Sequence, residues 1–184
     1  TGTPSPTVKE HQFYDFIPTI IGNISELSLS IKNKPTWANF NTDNGTLSGT
    51  PTSSHIGTTS DIEIIVINGN ETKTLVFDIT VNANVPPTIS GTPNTSIVNG
   101  MNYSFTPTAS DGDNDSLIFT ITNKPAWASL DDNTGALTGT ANGTTNGIEI
   151  TVSDYLHSAT LAAFHTTVTN TPPTITGTPN TSIV

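Results

Sequence analysis

The chain repeats itself at intervals of almost ninety residues. The octapeptide Gly91-Thr-Pro-Asn-Thr-Ser-Ile-Val98 recurs unchanged at 177–184, and the segments 33–38 and 45–50 match 123–128 and 135–140 at an offset of 90. Identity over eight consecutive positions marks a repeated structural unit and not a shared composition. The sequence therefore predicts two full repeats, 1–85 and 86–172, followed at 173–184 by the first strand of a truncated third repeat. The consecutive prolines at 86–87 and 172–173 favour extended, semi-rigid connectors at these boundaries.

Each repeat shows the period-two hydrophobic pattern of half-buried β-strands. The alternating residues of the first repeat are Tyr14 and Phe16, Leu27, Leu29 and Ile31, Ile62, Ile64 and Val66, and Leu75, Phe77, Ile79 and Val81. Those of the second are Tyr103 and Phe105, Leu117, Phe119 and Ile121, and Ile148, Ile150 and Val152. Short strands between turns rich in Gly, Pro, Asn and Thr predict an all-β fold of two tandem Greek-key β-sandwiches, of about seven strands each.

Charge and composition exclude several classes of partner. The 184 residues carry a formal charge of −10 and contain no Arg and no Cys. Such a surface is repelled by nucleic-acid phosphates and anionic lipids, and no apolar run is long enough to insert into a membrane. Without cysteine, disulfide bonds are excluded, so an extracellular chain of this kind needs another clamp, such as a metal ion.

The segment 110–116 predicts such a clamp. Three acidic residues, Asp111, Asp113 and Asp115, fall within five positions after a strand-like segment. Carboxylates this close repel each other unless a cation neutralises them, and Ca²⁺ accepts six to eight oxygen ligands in irregular geometry. The alternative is an Asp-Gly turn with solvated charges. An EF-hand is excluded, because its sixth and twelfth positions would be Ser116 and Thr122 instead of Gly and Glu.

Comparison of the two repeats supports one shared site. The first repeat has no acidic cluster at 20–26, and Asn68 stands where the second repeat has Asp154. The first repeat thus lacks both the acidic cluster and the distal aspartate. This is expected if the two features form one site, since unrelated surface acids have no reason to be lost together.

Two motifs carry a family resemblance. The first repeat has Pro35-Thr-Trp37-Ala-Asn-Phe40 followed by Gly45-Thr-Leu-Ser-Gly-Thr50, and the second has Pro125-Ala-Trp127-Ala-Ser-Leu130 followed by Gly135-Ala-Leu-Thr-Gly-Thr140. In these segments the chain resembles the bacterial cadherin-like, dystroglycan-type repeats of the putative Ig domain family. The resemblance implies immunoglobulin-like or cadherin-like sandwiches, extracellular or on the bacterial cell surface and often calcium-dependent. Its usual calcium positions match Asp111, Asp113, Asp115 and Asp154.

The expected site lies at the boundary between repeats, as in cadherin-like arrays. Alternating strand directions place the acidic loop and Asp154 at one end of the second repeat. We predict that Asn84 supplies a connector oxygen, and that Glu10 or Asp61 adds ligands across the boundary. Glu10 is expected near a first hairpin turn, and Asp61 at the end of a long loop, 51–60. The ion would remove the repulsion and fix the angle between neighbours.

Other candidate sites have simpler explanations. Trp37 and Trp127 could stack on a sugar ring, but a Trp that follows Pro in the Pro-x-Trp motif at the same position of both repeats favours a core role. Asp131 and Asp132 could form an acid–base pair, yet the following Asn-Thr-Gly favours a β-turn. The four histidines, His11, His55, His157 and His165, have no zinc-site spacing.

The sequence therefore predicts a non-catalytic, calcium-stiffened spacer or adhesion module of a larger surface or secreted protein. Its expected partners are neighbouring repeats of the same chain, with homophilic protein contacts or surface glycans as open alternatives. The competing hypothesis is a carbohydrate-binding accessory module of a secreted polysaccharide-degrading enzyme.

Overall fold

The computed structural model describes residues 2–21 and 27–178, and this part of the chain is almost entirely β-structure. The chain divides into two compact units, Thr1–Asn84 and Val85–Val184, each with its own hydrophobic core. The predicted fold class, two tandem immunoglobulin-like β-sandwiches, is confirmed. No helix in the described residues is long and apolar enough to cross a membrane.

Unit 1 is a sandwich of two sheets. Its strands are β1 (Thr7–Lys9), β2 (Tyr14–Phe16), β3 (Ser28–Lys32), β4 (Ala38–Phe40), β5 (Leu47–Gly49), β6 (Gly57–Asn68) and β7 (Glu71–Asn82). One sheet has the order β1-β7-β6-β3 and the other β2-β5-β4. All pairs are antiparallel except β1 with β7. A single-turn 3₁₀ helix, Ser53–His55, precedes β6.

The core of unit 1 fills the space between these sheets with the alternating residues of the sequence pattern. Its buried members are Val8, Tyr14, Phe16, Ala38, Leu47, Ile62, Ile64, Ile79 and Val81. Period-two alternation turns one face of each strand inward, so the apolar positions of β6 and β7 meet those of β2 and β5.

Unit 2 has the same architecture with more strand breaks. Its strands are β8 (Thr88–Ser90), β9 (Ser96–Val98), β10 (Asn102–Phe105), β11 (Thr108–Ser110), β12 (Ile118–Thr122), β13 (Ala128–Leu130), β14 (Leu137–Thr140), β15 (Thr145–Ser153), β16 (Ser158–Thr160) and β17 (Phe164–Thr169). One sheet runs β12-β15-β17-β9, with β16 also beside β15, and a second runs β10-β14-β13. The ribbon of β8 and β11 lies next to the acidic loop in sequence.

The core of unit 2 repeats that of unit 1. Its fully buried residues include Leu137, Ile148, Ile150 and Val152. Phe119, Tyr103 and Phe164 belong to the same buried cluster. Deleting one such side chain typically costs about 2–5 kcal/mol, so each unit depends on its own pattern of buried apolar residues.

The two tryptophans pack against these cores, as predicted. The ring of Trp37 meets Tyr14 edge-on at a centroid distance of 5.7 Å, and Trp127 meets Tyr103 at the same distance. Both indoles are partly buried, and the Trp127 Nε1 donates a hydrogen bond to the Gly143 carbonyl oxygen at 2.8 Å.

The units differ at one turn. In unit 1, β6 and β7 form a hairpin in which Asn68 pairs with Glu71, which leaves a two-residue loop. In unit 2, Ser153 of β15 pairs with Ser158 of β16, which leaves a four-residue loop, 154–157. The second repeat therefore carries a larger loop where Asp154 stands.

Three local expectations need correction or remain open. The turn near Glu10 is not a hairpin turn, because β1 pairs with β7 while β2 pairs with β5, so this turn joins the two sheets. The 51–60 loop is shorter than expected, since β6 begins at Gly57. Residues 173–178 lie in no strand, and 179–184 lie outside the described part, so the first strand of a third repeat stays a prediction.

Candidate metal centre

The acidic loop of unit 2, residues 111–117, joins β11 to β12 and is organised by its first aspartate. The Asp111 Oδ1 accepts hydrogen bonds from the backbone N–H of Asp113 at 2.8 Å and of Asp115 at 3.1 Å. Asn114, between them, has a φ of 60°, a left-handed conformation that Asn tolerates well. These contacts turn the backbone so that the three aspartates gather on one side of the loop.

The three carboxylates lie close enough to share one cation. One carboxylate oxygen from each of Asp111, Asp113 and Asp115 lies within 4.8 Å of the others, and all three residues are half-buried. The Asp111 Oδ2 is buried and has no hydrogen-bond partner in the part of the chain that the structure describes. Buried polar atoms normally have a hydrogen-bond partner, and an unpaired carboxylate oxygen beside two other carboxylates is suited to binding a hard cation. The residues present therefore fit Ca²⁺.

Val85 contacts this loop with both its backbone and its side chain. Its N–H donates to the Asp113 Oδ2 at 2.7 Å. A Cβ added to Gly112 would lie 2.8 Å from the Val85 Cγ1, so glycine is what lets the valine pack here. Sequence reasoning missed both residues, because nothing in their spacing links position 85 to position 112.

Asp154 lies beside the acidic loop, and it also has a structural role. Ile118 pairs with Ser153, so the residues that precede β12 and follow β15 are neighbours. The Asp154 side chain is only 5% exposed, and its Oδ1 accepts from the N–H of Leu156 at 2.8 Å and of His157 at 2.5 Å. Among the described residues the carboxylate cluster within 4.8 Å contains three aspartates and not Asp154.

This role gives the difference between the repeats a second physical reason. In the second repeat, Asp154 caps the four-residue loop 154–157. The first repeat has only two loop residues after Asn68, so no such cap is needed there. The loss of Asp154 in the first repeat thus follows partly from turn length. The counterpart of the acidic loop in the first repeat falls largely on residues 22–26, which lie outside the described residues.

Of the ligands expected from the first repeat, the structure brings Glu10 and Asn84 together. Both are buried, and the Asn84 N–H donates to the Glu10 Oε1 at 2.8 Å. Glu10 is further fixed by its own N–H, which donates to the Asn82 carbonyl oxygen at 2.9 Å. The Glu10 carboxylate therefore caps the last amide of unit 1.

Asp61 does not join this pair. It lies within β6 at a register shift with a φ of 54°, its N–H donates to the Asp78 Oδ1, and its carbonyl oxygen accepts from Asn33. Asp78, which accepts from the Asp61 N–H, precedes Asn82 by four residues along β7. At 3.3 Å per residue this is roughly 13 Å, so Asp61 lies well along the strand from the part of unit 1 that holds Glu10. The second repeat has Gly147 at the same bulge, with a φ of 64° and the same bond from Asn123. The backbone at position 61 therefore forms the β-bulge, as the backbone at position 147 does in the second repeat.

The pair Asp131-Asp132 forms a turn, as predicted. The Asp131 Oδ1 accepts from the N–H of Asn133 at 2.9 Å and of Thr134 at 3.0 Å, and the Gly135 N–H donates to the Asp131 carbonyl oxygen. The backbone hydrogen bond from Asn133, aided by that from Thr134, lowers the pKa of Asp131. A carboxylate held ionised by turn amides is suited to capping and not to general-acid chemistry.

Fold and loop together define an immunoglobulin-like sandwich repeat, with a half-buried carboxylate cluster in the second unit. The family model described as "Putative Ig domain" matches residues 1–82 and again 86–172. The chain belongs to this family. No curated protein matches it significantly in sequence.

Several solved structures have a similar fold. An endo-fucoidan hydrolase from glycoside hydrolase family 107 is 19% identical with a TM-score of 0.36, covering 91% of this chain and 32% of that chain. Domains 1–6 of the surface layer protein SbsC are 20% identical with a TM-score of 0.44, covering 82% and 21%. Immunoglobulin domains 1–5 of Sidekick-1 are 14% identical with a TM-score of 0.45, covering 92% and 38%. The chain thus spans less than two-fifths of each of these proteins, and the likeness extends to the fold alone.

Proposed function

We propose that this chain is a non-catalytic, calcium-binding spacer or adhesion module, similar to cadherin-like repeats, from a larger extracellular or bacterial surface protein. The observation that carries the proposal is the Asp111, Asp113 and Asp115 cluster, in which one buried carboxylate oxygen of Asp111 has no hydrogen-bond partner among the described residues. Three carboxylates gathered this closely repel one another, and a bound cation would remove that repulsion.

The chain's own residues supply the parts of such a site. Asp111 orders the loop through one oxygen and leaves the other available. Asp113 and Asp115 add carboxylates within reach of the same ion. When bound, Ca²⁺ would neutralise their charge and accept their oxygens at about 2.3–2.6 Å.

The expected consequence is mechanical. Because the acidic loop contacts Val85 at the start of unit 2, an ordered loop gives this end of the unit a fixed shape. Affinity like that of extracellular calcium modules, roughly 0.1–1 mM, would make the chain stiff outside cells and loose in chelator. That Asn84, Asp154, and Glu10 or Asp61 also bind the ion remains part of the proposal.

Calorimetric titration with Ca²⁺ tests the proposal. The wild-type chain should bind one ion, and Asp113→Ala should abolish or strongly weaken binding. Asp132→Ala is the matched control, since Asp132 is an exposed acid of the same unit outside the cluster. Equal uptake by wild type and Asp113→Ala would show that the assigned ligands are wrong, and no uptake by wild type would refute the function.

A second function is favoured by one exposed aromatic residue. Tyr155 is 75% exposed and has a φ of 77°, in a loop fixed by the Asp154 and Ser153 side chains. A rigidly presented ring of this kind can stack on a sugar, which fits a carbohydrate-binding accessory module. A glycan array tests this function. Reproducible binding lost in Tyr155→Ala but kept in Tyr155→Phe would support it, and no binding by the wild type would exclude it for the glycans tested.

A further inference from the structure

The first residue of unit 2 is attached to the proposed calcium loop at two points. The Val85 N–H donates to the Asp113 Oδ2 at 2.7 Å, and the half-exposed Val85 side chain lies where a Cβ on Gly112 would come within 2.8 Å of its Cγ1. Backbone and side chain of one connector residue thus contact two consecutive residues of the loop. No other amide of the prolyl connector 85–87 can do this, because Pro86 and Pro87 have no N–H.

We propose that Val85 is a positioning residue that couples the connector to the cation site, so that calcium affinity and the order of the connector depend on each other. This inference rests on the proposed function, because it requires that Asp113 binds the ion. The inference names Val85 as the residue through which calcium binding orders the connector.

The physical argument begins with the Asp113 carboxylate. A hydrogen bond to one oxygen of a metal-binding carboxylate restricts its rotation, and such supporting contacts commonly change metal affinity by 10–100-fold. The Val85 N–H makes this contact at a charge-assisted distance. Ordering Asp113 before the ion arrives lowers the entropy cost of binding.

The connector then responds to the ion in turn. A coupling free energy between two events is reciprocal, so a connector that raises calcium affinity is itself ordered by calcium to the same degree. Val85 precedes a proline, which restricts it to extended conformations, and the two prolines that follow are stiff. Fixing the Val85 amide therefore orders the connector at the point where the chain enters unit 2.

Substitutions in the full-length chain separate the two contacts. Val85→Pro removes the N–H, and Val85→Ala keeps the N–H while removing the Cγ atoms. Gly112→Ala places a Cβ against the Val85 Cγ1, and Gly112→Ala combined with Val85→Ala relieves that clash. Circular dichroism and thermal unfolding confirm that each variant is folded.

Calcium titration of these variants gives a clear pattern if Val85 couples the two events. We expect Val85→Pro and Gly112→Ala to bind Ca²⁺ roughly tenfold more weakly than wild type, the low end for supporting contacts. Val85→Ala should stay within about threefold, and the double variant should regain most of the affinity lost in Gly112→Ala, because supporting contacts act through Asp113 orientation.

Amide exchange in the wild type gives a second measurement. Calcium should slow exchange of the Val85 N–H by about tenfold, the same factor as the affinity change. The Asn133 N–H is the matched control, since it also donates to a carboxylate of unit 2, that of Asp131, but lies outside the acidic loop. Its exchange should not change.

The outcomes distinguish this inference from the function on which it rests. Wild-type calcium binding with unchanged affinity in Val85→Pro and an unchanged Val85 exchange rate would overturn the coupling and leave the calcium module standing. Absence of wild-type calcium binding would overturn both. Weaker binding in Val85→Pro, with restored affinity in the double variant, would support the coupling.

Discussion

Gly139 lies directly against the backbone of Trp127. A Cβ built on Gly139 would be 2.2 Å from the Trp127 carbonyl oxygen, and in unit 1 a Cβ on Gly49 would be 2.4 Å from that of Trp37. The contact arises because Gly139 pairs with Ala128, the residue after the tryptophan. The second glycine of the Gly-x-Leu-x-Gly motif therefore packs against the backbone of the Trp of the Pro-x-Trp motif, so the two motifs form one contact in each unit.

Substitution of this glycine should destabilise unit 2. Gly139→Ala forces two paired strands apart, and overpacking of this kind costs about 1–3 kcal/mol. Urea unfolding followed by Trp127 fluorescence, in a Trp37→Phe background, measures the loss. Gly143→Ala is the control, since nothing lies within 4 Å of a Cβ at that position. Equal stability of the two variants would disprove the close contact.

Asp154 can be tested as a loop cap separately from its suggested calcium role. In chelator, Asp154→Ala should lower the free energy of unfolding of unit 2 by about 1–3 kcal/mol, because two backbone amides lose a buried acceptor. Asp154→Asn keeps an acceptor oxygen and should lose less than half of that. If Asp154 also binds calcium, Asp154→Asn will weaken calcium binding while keeping unit 2 more stable than Asp154→Ala does. An unchanged free energy of unfolding in Asp154→Ala would contradict the capping role.

Alkaline pH should destabilise unit 1 through Tyr14. Burial raises the pKa of Tyr14 to about 12, from an ordinary value of 10.0. The raised pKa means that the folded state favours the neutral phenol. This stabilisation is fully present below pH 10 and is lost as the pH rises from 10 to 12.

The loss should amount to roughly 2–3 kcal/mol at most, from two pKa units. Urea unfolding at a series of pH values, followed by Trp37 fluorescence in a Trp127→Phe background, measures it. In Tyr14→Phe, which also lacks the hydrogen bond to the Ser5 carbonyl oxygen, stability should be lower at neutral pH and change less between pH 10 and 12. An equally steep decline in both proteins would exclude Tyr14 as the cause.

Calcium should stabilise unit 2 against heat more than unit 1. At 10 mM Ca²⁺ and a dissociation constant of roughly 0.1–1 mM, the gain in unfolding free energy is about 1.4–2.7 kcal/mol. Differential scanning calorimetry with and without chelator should show this shift in one of two transitions. Asp111→Asn should abolish the shift, whereas Asp132→Asn should retain it. A shift that survives in Asp111→Asn would place the ion elsewhere.

The hydrophobic pattern predicted the long strands and part of the core, but it missed short strands such as β5 and β14, whose Leu47 and Leu137 are fully buried. Ile62 and Ile64 are buried, and so are Ile148 and Ile150. Residues two apart in a strand point to the same face, so an alternating apolar pattern identifies the face that packs into the core. The repeat offsets similarly located matching strands in the two units. What the pattern could not show was strand pairing around Glu10, because period two does not distinguish a hairpin turn from one that joins two sheets.

The candidate site was predicted in part for the same reason. Asp111, Asp113 and Asp115 are neighbours in sequence, so a tight loop brings them together whatever the rest of the fold. Asp61 was predicted as a ligand from its charge, but its backbone is held in a bulge of β6 by hydrogen bonds with Asp78 and Asn33, and its part in the site stays a prediction. Charge shows that a side chain can bind a cation, and only the backbone determines where it points.

The sequence by itself determined the repeat, the all-β class, the buried faces and the acidic loop, since these depend on residues close together along the chain. Only the tertiary structure decided that Val85 meets Gly112 and Asp113, and that Gly139 meets Trp127. Such contacts join residues that are distant in sequence, and they depend on strand register and loop length, which local hydrophobic and turn preferences do not specify.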